Sequence, residues 1–150
     1  MAHTLTNLLF HIIFGTKDHA PLIDADLRPH LHAYVGGIVR ELGGIALGVN
    51  GTADHLHMVA KLPPAIATSD VLRVVKANSS KWVRQQSGRR SKFNWQLGFS
   101  AFTVSQPAVR SVLDYVARQE QHHRKKTFTE EYIELLVKNG IEYDPRYVFE

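Results

Sequence analysis

The sequence predicts an α+β chain built on one antiparallel sheet, and three observations carry that prediction. A run rich in Leu, Ile and Phe at residues 5–16 (LTNLLFHIIFGT) precedes a stretch of 3.6-residue periodicity. Two short apolar runs then meet at Asn50-Gly51. A second helical stretch leads into an aromatic, β-branched segment at residues 93–105 (FNWQLGFSAFTVS). Strand–helix–strand–strand–helix–strand is the ferredoxin-like, or RRM-like, order, with helices on the faces of the sheet. At 150 residues the chain fits one domain, residues 1–150, with two helices appended at its C-terminal end.

Each element has its own warrant. The first run is apolar and too short for a helix, so it reads as a central strand. Residues 17–23 form a loop marked by Pro21. Asp24 or Asp26 caps a helix to Leu42, with Pro29 tolerated in its first turn. Its apolar positions Leu27, Leu31, Tyr34, Val35, Ile38 and Leu42 share a face, and Gly43-Gly44 ends it. Residues 45–49 are the second strand, Asn50-Gly51 the hairpin turn, and the segment closing at Pro63-Pro64 the third strand. Ser69 offers an N-cap for a helix through Gln85, whose apolar face holds Val71, Leu72, Val75 and Trp82. A basic loop at 87–92 leads to residues 93–105, a strand or a bent pair of strands interrupted at Gly98. Pro107 starts a helix to about Lys126. Thr127–Glu130 has capping-box spacing for a last helix, ending before Asn139-Gly140. The final ten residues read as irregular surface chain.

Composition narrows the function. The chain has no cysteine, which removes disulfides, thiolate metal sites and a cysteine nucleophile. No apolar run reaches the ~20 residues of a membrane span, and no signal peptide is evident, so a cytoplasmic protein is expected. The net charge of +4 conceals an asymmetry. Between Val71 and Leu113 stand Arg73, Lys76, Lys81, Arg84, Arg89, Arg90, Lys92 and Arg110 without one acid, while residues 127–150 are acidic. An acid-free basic block of that length points to a polyanion partner, with Arg73, Lys76, Lys81 and Arg84 on the exposed sides of their helix.

Two constellations carry chemistry. In Asp54-His55-Leu56-His57-Met58 the strand alternation puts His55 and His57 on one face and Leu56, Met58 and Ala60 on the other. Two imidazoles on a rigid strand resemble part of a metal site, although a chain with nine histidines yields such pairs by chance. His11, alone on the first strand, reads as a packed residue rather than a ligand. In the helix after Pro107, Val109, Val112, Leu113 and Val116 form the core stripe. Tyr115, Arg118, Gln119 and His122 occupy a neighbouring face. Tyr115 offers a hydroxyl nucleophile and Gln119 a hard oxygen ligand for Mg²⁺ or Mn²⁺. Each pair alone is also compatible with ordinary surface or packing residues.

Together the pieces resemble a family. FGTKDHAPLI, ADHLHMVAKLP, LRVVKANSSKWV, FNWQLGFSAFTVS and the YVARQEQHHRKKTFTEEYIELLVKNGIEYDPRY tail are similar to the single-tyrosine HUH transposases of the insertion-sequence 200/605 type. The resemblance implies that His55, His57 and Gln119 hold a divalent metal, Mg²⁺ or Mn²⁺, and that Tyr115 is the nucleophile. It implies cleavage and rejoining of single-stranded DNA, carrying a hairpin at the element ends, through a 5′-phosphotyrosine. A homodimer is implied as well, and no nucleotide cofactor is needed. His122 and His123 belong to the resembling tail with DNA contact or helix stabilisation as their expected role. No side chain stands out as proton acceptor for Tyr115. Two rival readings follow from the same residues: a non-catalytic single-stranded nucleic-acid binding module, and a metal-dependent phosphodiesterase using water.

Overall fold

Alternation along the two central strands divides the molecule. In this computed structural model, which describes residues 3–86 and 91–150, β1 (Leu8–Gly15) pairs antiparallel with β3 (His55–Leu62), so that Ile13 lies opposite His57 and Gly15 opposite His55. β2 (Ile45–Gly51) and β4 (Ser100–Thr103) flank them in the order β2-β3-β1-β4, every pair antiparallel. That is the ferredoxin-like arrangement the element order predicts.

One face of the sheet is the main hydrophobic core. Ile12, Phe14, Leu56, Met58, Ala60 and Leu62 pack there beneath α1 (Leu27–Glu41) and α2 (Thr68–Arg84). Asp24 caps α1 by accepting the Leu27 N–H at 2.8 Å, and Gly43, at φ +89°, closes it. Helix α2 begins at Thr68, one residue before the Ser69 cap expected, and no side chain among the described residues caps it. Trp82 stacks on Tyr34 of α1 at 4.8 Å, tying the two helices together.

The opposite face carries His11, Ile13, His55 and His57 under α3 (Val109–Ala117), α4 (Gln119–His122) and α5 (Phe128–Lys138). Two local expectations fail here. The hairpin turn is at residues 52–54, with Thr52 N–H bonded to His55 O at 3.2 Å, and Asn50 and Gly51 are paired strand residues. Gly51 serves close strand approach, because a Cβ there would sit 2.2 Å from His55 O. The single helix expected from Pro107 to Lys126 breaks at Arg118 (φ −101°, ψ 23°). Asn50 explains the break: its amide donates to Val116 O at 2.9 Å and Ala117 O at 3.2 Å, taking carbonyls the next helical turn would use.

The rest follows the sequence more closely. Residues 93–105 form a bent pair, with Trp95 bridging Thr16 before β4 begins. Thr127 and Glu130 make the reciprocal capping box at the start of α5. The C-terminal residues are irregular but docked: Gly98 N–H donates to Glu150 O at 2.8 Å, and Phe149 packs on Tyr132 and Phe128. The expected basic loop, with Gly88, Arg89 and Arg90, falls largely outside the described residues. Among those described, no helix is long and apolar enough to cross a membrane.

Gly15 couples the sheet to α5. A Cβ there would lie 2.6 Å from the Phe128 ring, which itself stacks on His55 at 4.2 Å and 10°. Gly15→Ala should therefore cost about 1–3 kcal/mol of stability by overpacking. Urea denaturation measures the cost, and faster amide exchange concentrated in α5 would locate it.

Candidate active site and metal centre

Strand alternation aims both β3 histidines away from the main core, toward the layer formed by α4 and α5. His55 and His57 are completely buried there. Three imidazoles converge with the same atom, Nε2: those of His55, His57 and His123. Their Nε2 atoms gather around Oε1 of Glu131, at 3.5, 2.9 and 3.0 Å. One ligand atom from each of these four residues lies within 4.8 Å of the others, close enough to share one metal ion.

Each imidazole is also held from behind at Nδ1. Asp54 Oδ1 accepts from His55 Nδ1 at 2.7 Å, the Lys126 carbonyl accepts from His123 Nδ1 at 2.8 Å, and His11 Nε2 lies 2.8 Å from His57 Nδ1. Outer partners that hold the ring and set its tautomer, as the acceptors Asp54 and Lys126 O do for His55 and His123, are the usual support of histidine metal ligands. The donor chemistry of the cluster therefore fits a divalent cation. Three imidazole nitrogens suit Mn²⁺ or Zn²⁺ better than Mg²⁺, which prefers an oxygen shell.

Gln119 is fully buried and reaches the same point. Its Oε1 lies 3.0 Å from His55 Nε2 and 3.1 Å from His123 Nε2, and its amide donates to Glu131 Oε2 at 3.1 Å. Tyr115 arrives from α3, and its hydroxyl donates a short hydrogen bond to the same Oε2. So Tyr115, Gln119, His55 and His57 are brought together, within one chain. They meet through Glu131, since the break at Arg118 removes the regular helical turn that was to align Tyr115 with Gln119.

Glu131 and His123 are the members that sequence reasoning missed. Glu131 belongs to the acidic C-terminal segment, residues 127–150, which was given no part in the site. A signal was present: Phe128, Glu131, Tyr132 and Leu135 share one face of α5, and a carboxylate within an apolar stripe requires a buried partner. His123 belongs to the cluster through its 3.0 Å contact with Glu131, while the half-exposed His122 lies 3.3 Å from the Tyr115 hydroxyl.

The electrostatics follow from this burial. Burial works to raise the Glu131 pKa, but hydrogen bonds from His123 and His57 and the neighbouring charge hold it well below the usual carboxylate range. Burial pulls His57 down to about 4 against the pull of Glu131, so it stays neutral. Desolvation lowers His123, yet its bonds to Glu131 and Lys126 O leave it raised. Tyr115 is pushed upward by burial first and then by the Glu131 hydrogen bond and charge, which keeps the hydroxyl protonated.

The predicted basic residues of α2 lie on the other side of the sheet. Lys76 donates to Leu97 O at 2.9 Å and Gly98 O at 2.7 Å, and burial lowers it to about 8. Arg84 donates to Phe93 O at 3.1 Å and Asn94 Oδ1 at 3.2 Å. Both side chains thus staple residues 93–98 onto α2. Arg73 is exposed beside Asp70, and Lys81 is exposed. Next to the tyrosine, a separate groove of about 610 Å³ is lined by Tyr115, Arg118, His122, Arg124, Lys125 and Lys126.

Comparison with known proteins identifies the family. The profile of the family described as "Transposase IS200 like" matches residues 4–119. The chain belongs to the IS200-like transposase family. Its enzyme class is the single-tyrosine DNA transposase. The transposase is 28% identical over 128 residues to the transposase for insertion sequence element IS200 of Salmonella typhimurium, covering 79% of this chain and 81% of that protein. The Salmonella typhi counterpart matches to the same extent. A putative transposase from Deinococcus radiodurans R1 superposes with a TM-score of 0.60 at 17% identity, over 79% of this chain and 95% of that one. A REP-associated tyrosine transposase bound to a REP hairpin gives 0.63 at 12% identity, over 100% and 88%. These structural likenesses establish the shared fold. The family match stops at Gln119, so His123 and Glu131 lie beyond it.

The Glu131–His123 pair has a defined pH window. A depressed carboxylate contributes its stability fully above the unfolded pKa of about 4.3 and loses it as pH falls; a raised histidine contributes fully below about 6.5 and loses it as pH rises. Glu131→Gln should therefore cost about 3 kcal/mol or more, with the largest difference from wild type between roughly pH 4.5 and 6.5. Urea melts across pH 3–8 in metal-free buffer, as a rough range spanning those pKa values, measure it.

Proposed function

We propose that this transposase cuts and rejoins single-stranded DNA through a covalent bond between Tyr115 and a 5′-phosphate, at a divalent metal held by His55 and His57. The observation that carries this reading is that one buried carboxylate, Glu131, joins the Tyr115 hydroxyl to the histidine cluster. A nucleophile and a set of metal donors thus face one another across a few ångströms. Gln119, expected as the third ligand, is supported by its carbonyl lying among the Nε2 atoms. His123 and Glu131 Oε1 add to the donor set.

The Tyr115 oxygen attacks phosphorus, the phosphorus–O3′ bond breaks, and the 3′-oxygen leaves and is protonated. The hydroxyl proton of Tyr115 faces Glu131 Oε2, which supplies the acceptor that the sequence alone did not offer. A bound divalent cation would bind the phosphate oxygens, offset the Glu131 charge and stabilise the charge developing in transfer. Because the bond to phosphorus is kept as a phosphotyrosine, a second 3′-hydroxyl reverses the step and joins a new end without a nucleotide cofactor.

The groove beside Tyr115 is the first candidate path for the strand. Arg118, Arg124 and Lys125 are exposed along it, whereas Lys76 and Arg84 are committed to backbone carbonyls. Arg73 and Lys81 remain available for a second contact, such as the hairpin stem. Every group named for the chemistry comes from one chain. A homodimer would fit edge strand β2, where Ile45 and Leu47 are exposed.

Two outcomes are expected. Labelled single-stranded substrate with Mn²⁺ should give a protein–DNA adduct on denaturing gels, absent in Tyr115→Phe and in His57→Ala. Cleavage that persists in Tyr115→Phe would make water the nucleophile and the chain a phosphodiesterase. Arg118→Ala with Arg124→Ala should reduce the salt dependence of single-strand binding by about 0.7 in slope for each phosphate no longer neutralised. An unchanged slope would move the strand to the α2 side.

A further inference from the structure

His11 is a buried histidine on β1, 5% exposed, that the chemistry above leaves unused. It lies opposite Val59 in the β1–β3 register and on the same sheet face as His57. Its Nε2 is 2.8 Å from His57 Nδ1, and the two rings stack at 5.1 Å and 27°. On its other side it borders a cleft lined by Phe102, Tyr115, Arg118 and Leu135. Phe102 and Tyr115 both meet the His11 ring edge-on at 6.1 Å, so its orientation is fixed by packing.

The outer partners of the three converging histidines are not alike. Asp54 and the Lys126 carbonyl, behind His55 and His123, can only accept a hydrogen bond. His57 alone is backed by a second imidazole, which can either donate or accept. Without metal, His57 Nε2 donates to Glu131 Oε1, which leaves its Nδ1 to accept from His11 Nε2–H. An ion at His57 Nε2 takes the lone pair of that nitrogen, so the ring proton must sit on Nδ1. The hydrogen bond then has to run the other way.

Resting on the metal-site reading above, we propose that His11 is a positioning residue for the metal centre. It accepts from His57 Nδ1–H when the site is loaded, and thereby holds the His57 ring with Nε2 toward the ion. The bond between the two rings reverses direction on loading, and the His11 proton moves from Nε2 to Nδ1. Both imidazoles stay neutral, and the pair gains and loses no proton. A residue of this kind touches neither metal nor substrate and acts only through His57.

The test uses the full chain with ¹⁵N-labelled imidazoles and Zn²⁺ as a diamagnetic probe. Metal-free protein should show His11 protonated at Nε2; saturation with Zn²⁺ should move that proton to Nδ1 and place the His57 proton on Nδ1. In parallel, His11→Leu should weaken Mn²⁺ binding by about 10- to 100-fold in calorimetry. His11→Gln, whose carbonyl can still accept, should recover most of that affinity. If His11→Leu does not fold by circular dichroism, the wild-type spectra decide alone. Metal binding with His11 still protonated at Nε2, or wild-type Mn²⁺ affinity in a folded His11→Leu, overturns the role of His11 and leaves the metal site standing. Failure of wild-type protein to bind either ion overturns both.

Discussion

Glu131 is only 1% exposed on the inner face of α5, where an ionised carboxylate survives only if donors replace the water removed from it. It has them: His57 and His123 at Oε1, Tyr115 and Gln119 at Oε2. Four donors fill the roughly four lone-pair positions of a carboxylate. That one residue therefore sets where α3, α4 and α5 can sit relative to the sheet. It also places the nucleophile next to the histidines. Removing it would leave several buried polar groups without partners at once, which is why so much of the C-terminal third depends on it.

The sheet makes this arrangement possible by separating its two tasks. Leu56, Met58 and Ala60 of β3 fill the main core, while His55 and His57, alternate residues of the same strand, face the chemistry. A central strand in a four-stranded sheet is among the most rigid places in a small domain, so the imidazoles are preorganised before any ligand arrives. The appended helices then close the second face. Their hydrophobic support is modest, chiefly Ile13, Phe102, Phe128, Tyr132 and Leu136. Gly15 and Gly48 let that layer come close, since a Cβ at Gly48 would meet Leu113 at 2.8 Å.

Much of this was legible in the sequence, for a definite reason. The strand order, the H-x-H alternation and the Thr127–Glu130 capping box are local patterns, and local patterns survive into the fold. What was not legible depended on partners far apart in sequence. Asn50 looks like a turn residue, but it is a strand residue whose amide ends α3 sixty-odd positions away. Lys76 and Arg84 look like free surface charges, but both also hold residues 93–98. Glu131 looks like one more acid in an acidic tail, and only the apolar neighbours Phe128 and Tyr132 betray that its face is buried. In each case residue type was read correctly for its intrinsic tendency, and a tertiary partner decided the role instead.

Everything proposed for the chemistry depends on one ion sitting where the three imidazoles converge. The direct measurement is the anomalous scattering of Mn²⁺ in crystals of the full chain. The expected result is a single peak bounded by Nε2 of His55 and His57, with α5 in place and Glu131 and His123 at its edge. A crystal saturated with Mn²⁺ that shows no peak there, or shows one elsewhere in the molecule, would contradict it.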